Sequence, residues 1–403
     1  MFNILNGLRI VECSAFVAAP MAGMLLAQHG ANVIKVDRIS GSLDRHRWPV
    51  TKEGESLFWA GMNKAKRSIA IDTSSEDGKR LLAQIICGSG PQEGVFLTNL
   101  RLSGALSYEE LRRQRADLID VRIRGDRKGN PHVDYTINPA VGFPLATGPE
   151  NLRDPVGHVL PAWDCITGHQ AALGILCAIQ HRLKTGLGQS VELNLKDTAL
   201  SMLGHLGIIG EVQINGSSRE KIGNSLYGAY AQDFVTKDRE RIIVVALTDG
   251  QWTALLRATS ASAEISELES NLGVPLNTEE NRFKFRREIT EVLTSFFASR
   301  TSSEIGAILD RNGATWGAYR SFAQAVTEDP DCSEENPVFS RMQQPGIGTY
   351  LAPGSALKFA GMERFPPAPA PLLGSDTEEI LAEAGLSALE IGRLHDRRVV
   401  ASS

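Results

Sequence analysis

The stretch Leu8 to Val36, LRIVECSAFVAAPMAGMLLAQHGANVIKV, decides the fold. Leu8 to Cys13 is a short apolar run rich in β-forming residues. Pro20 then opens a helical pattern through Met21, Met24, Leu25 and Leu26, and Gly30 stops it. Proline early and glycine late is the asymmetry of a helix whose first N–H groups need no partner and whose end needs a left-handed residue. Ala31 to Val36 predicts the next strand. A strand, a helix and a second strand within about 30 residues is the unit from which parallel sheets are assembled.

The alternation continues outward. Ser68 to Asp72 repeats the strand signal, and Glu76 to Ile86 reads as a helix. Gly94 to Asn99 and Leu118 to Arg124 are strand-like, with a helical stretch from Tyr108 to Arg115 between them. Such a series predicts a parallel sheet with helices on both faces. The clearest helix runs from 164 to 184. Ile166, Leu173, Leu176, Cys177 and Ile179 read as its apolar face, Arg182 and Lys184 complement its C-terminal dipole, and Gly186 ends it. Gln189 to Leu195 is strand-like, and a helix starts near Lys196.

Composition changes near residue 213, where Asn215 to Ser218 reads as a linker. Beyond it come a strand at Ile242 to Leu247 and helices near 250–258, 283–298 and 302–311. Polar, proline-containing chain returns at 321–345, then a strand at Tyr350 to Phe359 and two terminal helices. The expected division is a large α/β domain over 1–212, a linker and small α+β domain over 213–325, and a return segment, 326–403, that completes the large domain.

With 403 residues, 42% of them apolar and 22% charged, the chain is long enough for two buried cores. A net charge of −5 speaks against a nucleic-acid partner, which usually demands a basic surplus. The five cysteines, Cys13, Cys87, Cys165, Cys177 and Cys332, have no metal-ligand spacing and read as free thiols of a reducing compartment. The N-terminus lacks the pattern of a secretory signal, and no apolar run is long enough to cross a bilayer. The expected location is the cytoplasm, with no membrane partner.

The first strand–helix junction, Ser14 to Pro20, lacks the glycines that let a dinucleotide pyrophosphate approach, which argues against a nicotinamide enzyme. Arg38, after the second strand, is either a phosphate contact or a solvated strand-end arginine. Asn63 to Ser68, with Lys64, Lys66 and Arg67, is either a phosphate-holding edge or a charged surface turn. Asp164 sits at the start of the long helix, where an aspartate reads first as an N-cap. Cys165 has no histidine at a telling spacing, and His169, His181 and His205 are scattered on helices. No nucleophile elbow or metal-binding signature occurs.

Several blocks taken together resemble the class III coenzyme A-transferase family, which includes the α-methylacyl-CoA racemases. They are Gly7 to Glu12 with Ala19-Pro20, Gly30 to Arg38, Asn63 to Ile69, Lys184 to Gln189 and Ala370 to Gly374. The resemblance implies a doubly wound, Rossmann-like parallel sheet domain plus a smaller α+β domain, in an interlocked homodimer. It implies an acyl-CoA substrate and no cofactor or metal beyond the coenzyme A that the substrate carries. The family's catalytic aspartate falls on Asp164. Its coenzyme A contacts fall on Val17, Ala18, Arg38, Ile71, Asp72, Thr73, Ser74, Asn99, Leu100, Arg101, Arg124 and Gly125. The pattern is interrupted at Leu102-Ser103 and over Asp126 to Pro131. At the racemases' catalytic histidine this chain has Val133, with His132 one residue away.

Four further segments, Leu43 to Val50, Ser56 to Gly61, Val159 to Asp164 and Gln344 to Tyr350, resemble a narrower group in that family. There coenzyme A moves between the two carboxyls of one branched C4 dicarboxylate, in the 3-hydroxypropionate carbon-fixation cycle. Intermolecular transfer to another dicarboxylate and racemisation remain the alternatives. A dicarboxylate needs a cation for its free end, and Arg45 and Arg47 are the candidates.

Overall fold

The computed structural model describes residues 1–402. Along the chain the first elements are β1 (Arg9–Cys13), α1 (Ala18–Ala27), β2 (Asn32–Asp37), α2 (Leu57–Met62), β3 (Arg67–Ile71) and α3 (Glu76–Cys87). Then come β4 (Val95–Thr98), α4 (Tyr108–Gln114), β5 (Ile119–Arg124), α5 (Asp134–Ile137), α6 (Phe143–Ala146), α7 (Ala162–Thr185), β6 (Gln189–Asn194), α8 (Leu195–His205) and α9 (Ile208–Asn215). β7 (Tyr230–Val235) and β8 (Arg241–Ala246) precede α10 (Asp249–Thr259), α11 (Ser262–Leu272), α12 (Glu279–Lys284), α13 (Arg286–Ala298) and α14 (Ser302–Asn312). The chain ends with β9 (Thr315–Ala318), α15 (Phe322–Thr327), β10 (Phe339–Gln344), β11 (Gly348–Pro353), α16 (Thr377–Glu383), α17 (Ala388–Asp396) and β12 (Val400–Ala401).

Contacts divide these elements into two units, 1–141 with 159–210 and 330–403, and 142–158 with 211–329. In the larger unit, seven strands are ordered β12-β3-β2-β1-β4-β5-β6. All neighbours are parallel except β12, which runs antiparallel to β3. The chain starts in the middle, winds outward through β2 and β3, and crosses back to place β4 on the other side of β1. That reversal opens a crevice beyond the carboxyl ends of β1 and β4, where such sheets bind ligands.

Side chains alternate across the sheet. Val11, Cys13, Ile34, Val36, Ile69, Ile71 and Phe96 share one face with Leu82, Ile85 and Ile86 of α3 and Ile380 of α16. Each such fully buried side chain contributes roughly 1.5–3 kcal/mol. Glu12 points to the opposite face, beneath α1, and a Cβ on Gly23 would lie 1.7 Å from its Oε2. Only glycine fits there.

α7 buries a different face from the one its sequence suggests. Trp163, Thr167, Gly168, Ala171, Ala172, Ile175, Ala178 and Arg182 point inward, while Leu173 and Leu183 are 61% and 76% exposed. The physical reason is close packing against α1: a Cβ on Gly168 would sit 2.8 Å from the Ala18 carbonyl. Small residues permit that approach, and Leu173, Leu176 and Leu183 are left outside.

The smaller unit has an antiparallel sheet, β7-β8-β9. Tyr230, Phe234, Ile242 and Val244 pack with Trp252, Leu255, Ile289, Leu293, Phe297, Ile305 and Leu309 from its helices. The unit also takes 142–158, a stretch within the range 1–212 expected for the large domain. The segment is tied there by Gly223 N–H to the Gly148 carbonyl at 3.0 Å and by Arg286 to Glu150 at 3.2 Å. α9, α11, β7 and β12 had no clear signal in the sequence, and the strand expected at Tyr350 to Phe359 is β11, which starts and ends earlier, at Gly348–Pro353.

Candidate active site

α7 begins at Ala162, so Asp164 is the third residue of its first turn and Pro161 holds the cap position, with no side-chain cap bond of its own. The expectation that Asp164 is the N-cap is therefore corrected. The cap comes from Asp134, the first residue of α5. Its Oδ2 accepts the backbone N–H of Trp163 at 2.7 Å and that of Asp164 at 3.1 Å. Asp134 is buried, and its Oδ1 has no hydrogen-bond partner. With the helix's first donors already taken, the Asp164 carboxyl is free for other work.

That carboxyl has an unusual affinity for a proton. Desolvation, then the neighbouring Asp134 charge, pushes it up to about 7, and Arg47 opposes them. A carboxylate that ionises near neutrality is a stronger nucleophile than an ordinary one, and such shifts concentrate at functional sites. Cys165 beside it is the reverse case: desolvation, with Asp164 and Asp134, raises its thiol and keeps it inert. His169 shares its Nδ1 with the Cys165 carbonyl at 2.8 Å.

The loop after β2 brings Arg47 to this carboxylate. The Asp44 carboxylate is buried and accepts the Phe16 N–H at 2.6 Å, while the Asp44 carbonyl accepts the Arg47 N–H at 3.0 Å. The Arg47 guanidinium lies 5.6 Å from the Phe16 ring centre and 5.1 Å from that of Phe58. Phe16 itself has φ +69°, a left-handed conformation rare outside glycine, held by the Asp44 bond. Arg45 goes elsewhere, 4.1 Å over Trp59 in a narrow cleft with Glu55, Gln344 and Pro371.

The residues expected to contact coenzyme A all fall at the carboxyl edge of the sheet. Val17 and Ala18 lie at the β1–α1 turn, Arg38 follows β2, Ile71 ends β3, and Asp72, Thr73 and Ser74 follow it. Asn99, Leu100 and Arg101 follow β4, Arg124 ends β5 and Gly125 follows it. Arg38 and Arg101 are exposed, and Arg101 donates to the Gly129 carbonyl. Asn99 ties the first turn in place: its Nδ2 donates to the Ala15 carbonyl at 2.7 Å, and its Oδ1 accepts the Ala15 N–H at 3.0 Å. Asp72 Oδ1 accepts the Ser74 N–H at 3.1 Å and forms the next turn. Arg124 lies 3.8 Å from Glu192.

The basic stretch Asn63 to Ser68 is neither a phosphate edge nor a surface turn. Asn63, Lys64 and Lys66 are buried. Lys66 donates to Glu12, to the Pro20 carbonyl and to Asn63, each at 2.9 Å. Arg67 faces Asp376, Glu379 and Glu383 of the C-terminal segment. A second buried pair, Lys35 and Asp37 at 2.6 Å, holds the Ser14 carbonyl at 2.7 Å. Together these pairs clamp both ends of the β1–α1 turn from below.

His132 is 3.5 Å from Asp126, and Val133, directly before Asp134, is exposed. Among the described residues no cluster of His, Cys, Asp or Glu could hold a metal, and no helix is long and apolar enough to cross a membrane.

Asp134 and Asp44 escaped the reading of the sequence. Asp44 is a lone aspartate in a turn and Asp134 opens a four-residue helix, and only the fold carries them to Phe16 and to Trp163 and Asp164.

Fold and site define a two-unit α/β enzyme with a doubly wound sheet and a desolvated carboxylate. The chain belongs to CoA-transferase family III, whose model matches residues 5–377. Enzymes of this family act on coenzyme A thioesters. The chain is 52% identical to the 2-methylfumaryl-CoA isomerase of Chloroflexus aurantiacus, covering all of this chain and 98% of that protein. It is 27% identical to the succinyl-CoA:mesaconate CoA-transferase of Haloarcula marismortui, over 95% of this chain and 96% of that one. Among solved structures, a CAIB/BAIF family protein from Brucella suis superposes with a TM-score of 0.76 at 24% identity, over 95% of this chain and all of the other.

Proposed function

We propose that this enzyme moves coenzyme A between the C1 and C4 carboxyls of 2-methylfumaryl-CoA (mesaconyl-CoA), giving 3-methylfumaryl-CoA, through a covalent intermediate on Asp164. The observation that carries the mechanism is the Asp164 carboxyl, raised to about 7 by burial and Asp134 and facing Arg47. The substrate reading rests on the 52% identity, end to end, with an isomerase of that name.

The exchange breaks and makes the same bond types, so its steps are nearly balanced and draw on no further cofactor. Asp164 attacks the thioester carbonyl, forming a mixed anhydride and releasing the coenzyme A thiolate. The thiolate attacks the aspartyl carbonyl and frees the dicarboxylate, leaving an aspartyl thioester. The dicarboxylate's other carboxylate attacks that thioester, and the thiolate closes on the new substrate carbonyl. Asp164 returns unchanged. Arg47 holds the free carboxylate between steps, which keeps its effective concentration high enough to outrun escape.

In this reading the carboxyl edge of the sheet receives coenzyme A through Val17, Ala18, Arg38, the 71–74 turn, the 99–101 turn and Arg124-Gly125. The exposed Leu173 and Leu183 on α7 support an interlocked homodimer, in which that stripe is covered. The free cysteines support a reducing, cytoplasmic setting.

Hydroxylamine added during turnover, followed by peptide mass spectrometry, tests the intermediate: the expected result is a hydroxamate on Asp164. Unmodified Asp164 in an enzyme that is turning over would sink it. Labelled free mesaconate tests the transfer mode. Label appearing in the ester would replace the intramolecular reading with an intermolecular transferase.

A further inference from the structure

The smaller unit contains an open cavity of about 520 Å³. Its lining includes five cations, Arg153, Arg219, Lys221, Arg286 and Arg287, against two carboxylates, Glu150 and Glu220. Leu145, Leu152 and Ile222 complete an apolar part of the wall. Such a concentration of positive charge is conspicuous in a chain of net charge −5.

Two of the guanidiniums are fixed in advance. Arg286 is largely buried, donates to the Phe283 carbonyl at 3.1 Å and stacks 4.8 Å from the Phe283 ring centre. Arg219 lies 4.2 Å over Tyr227 and is held by Glu211 at 2.8 Å. Stacked, anchored arginines lose little freedom when an anion arrives. Glu150 is shared by Arg286 and Arg287. One carboxylate thus answers two guanidinium forks and occupies the position of an oxyanion. Arg153 is exposed and has no ion pair among the described residues.

We infer that this cavity is a binding site for an organic polyphosphate of nucleotide size. A single carboxylate or orthophosphate would leave most of the volume and charge unused. A chain of phosphates reaches several guanidiniums at once, and the ligand's organic body rests on the leucines and Ile222. Two sources share this chemistry: a free nucleoside di- or triphosphate, and the phosphorylated adenosine end of coenzyme A.

The test is isothermal titration of the full-length protein with ATP, ADP, pyrophosphate, coenzyme A and 3′,5′-ADP at physiological ionic strength. The wild type is compared with the double variant Arg153→Glu/Arg287→Glu and with Arg38→Ala. Both substituted positions of the double variant are exposed, so it folds. The expected result is saturable binding that weakens roughly tenfold or more in the double variant and survives in Arg38→Ala. Glu150→Gln, which frees both forks, tightens it. Binding by ATP and ADP assigns the site to free nucleotides, and binding confined to coenzyme A and 3′,5′-ADP assigns it to the coenzyme. No saturable binding, or binding that the double variant retains and Arg38→Ala loses, overturns the inference.

Discussion

The Asp134 carboxylate accepts the backbone N–H of Asp164 at 3.1 Å, so one aspartate caps the helix that presents the other. The same contact fixes Asp164 in space and raises its affinity for a proton. Replacing Asp134 separates these effects. Asp134→Asn keeps an acceptor for the two N–H groups and removes the charge, so the acid limb of the activity profile moves to lower pH. Asp134→Ala also loses the cap, at a cost of about 1–3 kcal/mol in urea unfolding, and turnover falls with it. An unmoved acid limb in Asp134→Asn would remove Asp134 from the electrostatics of the site.

With Asp164 raised to about 7 by desolvation and Asp134, kcat/KM climbs as pH rises through neutrality and levels above it. Stability runs the other way. A carboxyl whose folded value exceeds its unfolded value contributes stability below the unfolded value, near 3.9, and loses it as pH rises through about 7. Asp164→Asn abolishes turnover yet is the more stable protein at pH 8, by roughly 1–3 kcal/mol after allowing for partial exposure, and that advantage shrinks toward pH 4. Paired urea titrations at the two pH values check both the sign and the window.

Arg47 and Arg45 stand two residues apart and have different surroundings. Arg47→Ala removes the cation facing Asp164, so the acid limb moves to higher pH and kcat/KM falls by about 10²-fold. Arg47→Lys recovers part of the loss, because it restores the charge without the fork. Arg45→Ala loses the stacking on Trp59 and lowers the melting temperature, with a smaller effect on kcat/KM. Steady-state kinetics over a pH series distinguish the two arginines, and equal kinetic losses would mean that Arg45 also meets substrate.

The parallel sheet was legible because its strands are short apolar runs between helices, a pattern local to each segment. β1, β2 and α1 were readable from Leu8 to Val36 alone. The face of α7 was not, since an exposed Leu173 and a buried Ala171 are told apart only by what packs there, and α1 lies far away in sequence. Asp164 was found through family resemblance, whereas its cap was missed: periodicity marks where a helix starts but not a carboxylate arriving from thirty residues upstream. The cationic stretch Asn63 to Ser68 misled for a related reason. Charge reads as surface unless its buried partner is known, and Glu12 is distant in sequence.

That partner supplies the last prediction. Glu12 and Lys66 form an ion pair at 2.9 Å whose side chains are fully buried. Lys66 also holds the Pro20 carbonyl, and Glu12 accepts the Ser14 hydroxyl at 2.6 Å, so the pair grips the β1–α1 turn at both ends. Removing one partner leaves a charge with no water to replace it. Lys66→Met and Glu12→Gln should therefore each cost about 3–5 kcal/mol. The double substitution leaves no uncompensated charge and recovers much of that loss. A pair retained for stability alone would let the double variant regain activity along with its fold. Because the pair also sets the turn that carries Phe16 and Val17, we expect the double variant to unfold near the wild-type urea midpoint while its KM for the thioester stays raised. Recovery of stability and KM together would reduce the pair to a structural brace.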